Sequence, residues 1–233
     1  METNGKLFIE KETLRNIKGT AIIMMIIHHV LTIPNWWPSY FKASDMLIWF
    51  ARHFNVPTKL CVYIFAFITG YYYFYSKNKG SYKYSLLKIT KLLINYWLVL
   101  LVGFVLTCFI SKTEINLLMF IKEMFGLTNN ILCFSWYVPF YCISILLLPL
   151  IYKVLSYSKT TCLFCFIFPI IIGKLLKFFI PDDAILYTLI SDLRIYFPCM
   201  VFGFSASRYN LFEDFDNTIN SIVSKNILEA LYI

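Results

Sequence analysis

Two adjacent histidines, His28 and His29, lie inside an apolar run that follows a basic segment. Ionisable groups in such a run are costly and mark functional positions by default. On a helix, residues eleven apart lie about 20° apart around the axis, so Lys18 and His29 share nearly one face. Arg15 lies about 40° to the other side of His29. One stripe thus carries two cations at its start and an imidazole roughly 16 Å further along. A helix start with two cations suits phosphate groups. An imidazole deeper in the span suits a general base, because an apolar surround disfavours the charged imidazolium. The spacing describes a pocket for a phosphorylated ligand whose reactive end reaches His29. The same cations also meet the simpler need to anchor a span on its cytoplasmic side. Spacing alone leaves both readings open. His28 points about 100° away from His29 and does not serve the same site equally. His53, after Arg52, reads as a surface residue.

The elements that carry these residues follow from composition. Hydrophobic residues make up 59% of the 233 and charged residues 15%, against roughly a half and a quarter in soluble domains. The mean hydropathy of +0.68 agrees. Aromatics reach 19%, which suits helices that meet both lipid tails and headgroups. The expected fold class is all-α, a polytopic integral membrane helical bundle. About six stretches approach the length of a span: 19–33, 56–75, 92–110, 135–152, 162–180 and a short 195–207. Trp36 and Trp37 form an aromatic belt after the first, and Pro181 stops the fifth. No small-residue cleavage site follows the first run, so it is expected to remain as a helix. The net charge of +8 reads as topology rather than nucleic-acid binding. With the N-terminus cytoplasmic, thirteen of the 21 Lys and Arg fall on the inner side, and the cluster from Lys77 to Lys91 carries most of that bias. Residues 1–208 then form the membrane domain, and 209–233 form an amphipathic cytoplasmic tail.

Of seven cysteines, Cys162 and Cys165 make a CxxC, which reads as two small residues on one face of a membrane helix rather than a redox pair. Asp182 and Asp183 after Pro181 read as a turn. Asp192 and Arg194 either pair locally or serve a ligand.

Five segments, in order, carry a resemblance to a known family. The first is the segment Asn16 to His29, with a basic residue, Gly19, and a histidine eleven after Lys18. The second is the apolar run from Phe65 that ends in Thr69, Gly70 and Tyr71. The third is Lys88 and Lys91 before Leu92 and Leu93. The fourth is Trp136, Tyr137 and Val138 leading to Leu147, Leu148 and Pro149, and the fifth is Tyr196 and Phe197 with Gly203. Together they resemble the acyltransferase 3 family of membrane O-acyltransferases. Two positions depart from its pattern. Thr69 stands for a serine, and Lys88 and Lys91 stand for two arginines, exchanging a bidentate fork for point charges. Full members have about ten membrane helices, so the resemblance implies that the C-terminal part is lacking.

The resemblance implies an O-acyltransferase that moves an acyl group, commonly acetyl, from acyl-coenzyme A to a hydroxyl of a cell-envelope glycan or a lipid-linked sugar. His29 is then the catalytic base. Lys18, Arg15, Lys88 and Lys91 bind the donor, and Trp136 and Tyr137 lie on the acceptor side. Acetyl-coenzyme A is a co-substrate, with no bound cofactor or metal. The location implied is a bacterial plasma (inner) membrane, crossed several times. A glycan transporter or flippase-like protein, and a catalytically incomplete membrane subunit, are the alternatives. The first of these requires inverted repeats, which the sequence does not show.

Overall fold

The computed structural model describes residues 9–31, 44–111, 116–132, 134–155, 157–181 and 185–220. Trp36, Trp37, Cys133, Asp182 and Asp183, the end of the tail, and Lys6, Lys42, Lys112 and Lys225 of the charge pattern lie outside them. Eight helices follow in order: α1 Lys11–Leu31, α2 Asp45–Thr58, α3 Leu60–Phe74, α4 Tyr82–Ser111, α5 Leu117–Met124, α6 Tyr137–Leu155, α7 Lys159–Leu176 and α8 Ile185–Arg208. Residues 211–220 are helical as well, and no strand occurs among the described residues. The protein is an all-α membrane helical bundle.

Among the described residues three helices are long and apolar enough to cross a membrane, Tyr82–Phe109, Tyr137–Leu155 and Ile185–Arg208, while Thr160–Leu176 is apolar but shorter. The remaining expected spans fall on α1 and α3. α1 is 21 residues long but starts with a charged segment, and α3 has only 15 residues. The run 56–75 is divided at Lys59, a one-residue turn between α2 and α3, with Pro57 inside the last turn of α2. The Lys59 N–H falls back on the carbonyls of Asn55 and Val56, at 3.3 and 3.2 Å. α8 begins ten residues before the expected 195, since Asp192 and Arg194 lower the hydropathy without breaking a helix. α5 has eight residues, too short for a span, and starts where Asn116 Oδ1 accepts from the Met119 N–H at 2.7 Å.

The chain divides into two compact units, Met1–Tyr75 with Phe202–Ile233, and Ser76–Val201. In the first, Leu14, Ile68 and Tyr71 are buried together, with Ile17, Ile64, Phe67 and Phe212 against them. Gly203 makes the tightest approach: a Cβ there would strike the Phe67 carbonyl oxygen. Ser207 Oγ lies 3.0 Å from the Tyr71 carbonyl and 3.1 Å from that of Gly203. Small residues thus let two helix backbones touch, as apolar solvent requires when packing must supply the attraction. In the second unit Tyr96, Leu100, Leu132 and Val138 form the core, with Trp97, Phe120 and Met124 around it.

Candidate active site

α1 is one unbroken helix whose inward stripe runs through buried Leu14 and Ala21. His28 lies on the centre line of that stripe and Lys18 and His29 lie together on one edge of it, and all three are half-buried. The opposite side, with Ile22, Ile23, Ile26 and Val30, is exposed, as lipid contact demands. Arg15 flanks the stripe and is exposed. Lys18 Nζ sits 4.4 Å from the centre of the Tyr72 ring, near the end of α3. At the other end of the stripe, His28 Nδ1 lies 3.0 Å from the Asn55 carbonyl oxygen, with Thr58 Oγ1 at 3.5 Å. A carbonyl only accepts, so Nδ1 of His28 carries the hydrogen and the ring is tied to the end of α2. The His29 ring meets it edge-on, with centroids 5.5 Å apart. The two histidines therefore divide: His28 is held by α2, and His29 shares the stripe with Lys18.

The other expected site residues belong to the second unit. Lys88 is half-buried and leans back along α4, its Nζ 5.0 Å from the Tyr84 ring, and Lys91 is exposed. Gly80 abuts the Tyr152 ring, whereas Tyr96 and Leu100 pack with Val138, so α4 and α6 run antiparallel. Lys88 and Lys91 accordingly lie toward one end of this unit, and Trp136 and Tyr137 toward the other. The Trp136 ring packs on Tyr137 and Tyr196, with centroids at 6.0 and 5.6 Å. It also lines a polar cavity of about 220 Å³ with Gly126, Asn129, Pro139, Thr188 and Asp192. Gly126 has φ of +67°, and a Cβ there would strike the Ser135 carbonyl, so glycine is required for the turn that closes this wall.

Glu123 is the residue the sequence reading passed over. It is fully buried at the end of α5. Its Oε1 accepts from Thr128 Oγ1 at 2.8 Å, the Asn130 N–H at 2.5 Å and the Ile131 N–H at 3.3 Å. Its backbone carbonyl accepts from Tyr96 Oη at 2.7 Å, and the next one, of Met124, from Trp97 Nε1 at 2.8 Å. Ser135 Oγ lies 2.6 Å from both the Thr128 carbonyl and Asn129 Oδ1. This network fixes the loop that presents Asn129 and Trp136. A lone carboxylate in the apolar segment Leu117–Met124 was the available signal. Cys162 and Cys165 are both free, and Cys165 lines an apolar cavity.

The family model of the acyltransferase 3 family, described as an acyltransferase domain, matches residues 12–224. No curated protein and no solved structure matches the chain.

Proposed function

Since this chain belongs to the acyltransferase 3 family, we propose that it is a membrane O-acyltransferase moving an acyl group, acetyl in the first instance, from acyl-coenzyme A to a hydroxyl of a cell-envelope sugar. The observation that carries this reading is the placement of Lys18 and His29 on one inward stripe of an unbroken helix. Lys18 stands at the charged start, where donor phosphates belong, with Arg15 beside it. His29 lies about 16 Å along the axis, within reach of the long arm of an acyl-coenzyme A.

In this scheme the His29 imidazole takes the proton of the acceptor hydroxyl while its oxygen attacks the thioester carbonyl. The C–O bond forms, the C–S bond breaks, and the imidazolium returns its proton to the leaving thiolate. Lys88 and Lys91 add donor-side charge by their place in the family's order of motifs. On the acceptor side, the polar cavity lined by Trp136, Asn129 and Asp192 offers a ring face and hydrogen-bonding groups of the kind that sugars use. The Trp136 end of the second unit lies away from Lys88 and Lys91, which fits donor and acceptor arriving from opposite sides.

The test is expression in a bacterial host lacking its own envelope acyltransferases, with mass spectrometry of ester-linked acetyl on envelope glycans. Ester that appears with the unaltered chain and vanishes with His29→Ala supports the scheme. Ester unchanged by His29→Ala removes His29 from the chemistry. No ester from either chain, with both proteins present in the membrane, overturns the acceptor class in that host.

A further inference from the structure

The polar cavity beside Trp136 has two walls, both in the second unit. One is a stripe of α8. Ile185, Thr188 and Asp192 are spaced i, i+3 and i+7, so they fall within about 60° of one another on that helix. The other is the loop between α5 and α6, which brings Asn129 and Trp136. Both walls are held from behind. Tyr196 stands one turn after Asp192 on α8 and is buried, and its ring packs on Trp136 with centroids 5.6 Å apart. The Ser135 hydroxyl, 2.6 Å from Asn129 Oδ1, holds one end of that amide, so its NH2 remains to donate. Indole, hydroxyl, amide and carboxylate thus surround a space of about 220 Å³. Drug-sized ligands take about 300–1,000 Å³, so this space suits one small ring rather than a chain of them.

Charge then narrows the ligand. Asp192 lies in a span, where a carboxylate is costly and marks a ligand path by default. Arg194 is about 200° further around α8 and lines a different cavity. Among the described residues no Lys, Arg or His lines this one. A carboxylate accepts hydrogen bonds and cannot donate them, so it favours a ligand rich in hydroxyls and opposes one that is itself an anion.

We propose that this cavity selects one uncharged pyranose ring, with the apolar C–H face of the ring on Trp136 and its hydroxyls on Asp192 and Asn129, and that Asp192 rejects acidic sugars. A hydrocarbon ring covers the indole but brings no donor to Asp192. A uronic acid brings donors but sets a second carboxylate against the first, in a site that screens charge less than water does. A neutral pyranose meets every wall. The inference rests on the acyl-transfer reading for taking this ring as the acceptor's, and it narrows that acceptor to a glycan whose modified residue is uncharged. The binding itself is measured without transfer.

The experiment is saturation-transfer difference NMR of the full chain in phospholipid nanodiscs, free of sugar-based detergent. Methyl pyranosides of gluco, galacto and manno configuration are titrated, each as the parent alcohol, the carboxamide at C6 and the carboxylate at C6. Amide and carboxylate differ in charge and hardly in shape. In the best-bound configuration the amide is expected to bind about tenfold more tightly than the carboxylate, as a like-charge contact in a partly screened site supports. Asp192→Asn, which keeps the shape and an acceptor oxygen, brings the two within about threefold. Trp136→Ala weakens alcohol and amide alike by about tenfold. The amide-to-carboxylate ratio on the unaltered chain carries the test if either variant does not fold. Equal binding of amide and carboxylate overturns the proposal. So does a ratio that survives Asp192→Asn, binding undiminished by Trp136→Ala, or no binding by any pyranoside of the set. Ester formation is followed separately. The charge preference without any ester keeps the subsite and sinks the transfer scheme, whereas ester without the charge preference overturns the subsite alone.

Discussion

Glu123→Ala removes a side chain that ties the end of α5 to the following loop. Its Oε1 accepts two short hydrogen bonds, from Thr128 at 2.8 Å and from Asn130 at 2.5 Å, and a longer one from Ile131 at 3.3 Å. A hydrogen bond to a charged group contributes about 1.5–3 kcal/mol net. The donors at Thr128 and Asn130 are partly open to water, so solvent recovers some of that loss. Taking the low end for the two short bonds and little for the long one gives a destabilisation of about 3 kcal/mol. For a chain of this size that is a fall of about 6–12 °C in the unfolding midpoint. Glu123→Gln keeps an acceptor oxygen for all three donors. Its new NH2 falls where Oε2 has no partner, so the cost is about 1 kcal/mol. The assay is thermal unfolding in detergent, followed by limited proteolysis of residues 126–132 at a temperature below the midpoint. Glu123→Ala is expected to be cut faster there, Glu123→Gln close to the unaltered rate. An alanine variant within 2 °C of the unaltered protein, or a glutamine variant as unstable as alanine, would refute the account of this loop.

His29→Ala is expected to lower transfer by about 10²–10⁴-fold, as loss of a general base does, with the amount of protein in the membrane unchanged; ester quantification on envelope glycans reads it. His28→Ala is expected to lower the unfolding midpoint instead, because it removes the hydrogen bond to Asn55 while leaving the Lys18–His29 stripe. Lys18→Gln is expected to raise the apparent KM for acyl-coenzyme A more than it lowers kcat, since a donor-holding charge acts on binding; kinetics in proteoliposomes separate the two. Gly203→Ala places a methyl on the Phe67 carbonyl and is expected to destabilise the first unit by about 1–3 kcal/mol, measured by unfolding in detergent.

The helical membrane character was legible from composition, because no water in a bilayer can satisfy open backbone groups and an apolar chain of this kind must fold into helices. The Lys18 and His29 stripe was legible for a related reason: along one helix, spacing alone fixes which residues share a face. Element ends were less so. α4 and α8 start about ten residues earlier than the apolar runs that marked them, because hydropathy reports lipid contact while helices continue through charged turns. Lys59 shows the converse, where a one-residue turn just after Pro57 divides what hydropathy joins. The role of Glu123 belongs to tertiary structure. It is a single charged residue whose meaning depends on Thr128 and Asn130, supplied by the segment that follows α5. The division between His28 and His29 is of the same kind. Adjacent in sequence and identical in chemistry, they differ because the Asn55 carbonyl at the end of α2 takes one ring, and only the folded chain brings that carbonyl within 3.0 Å.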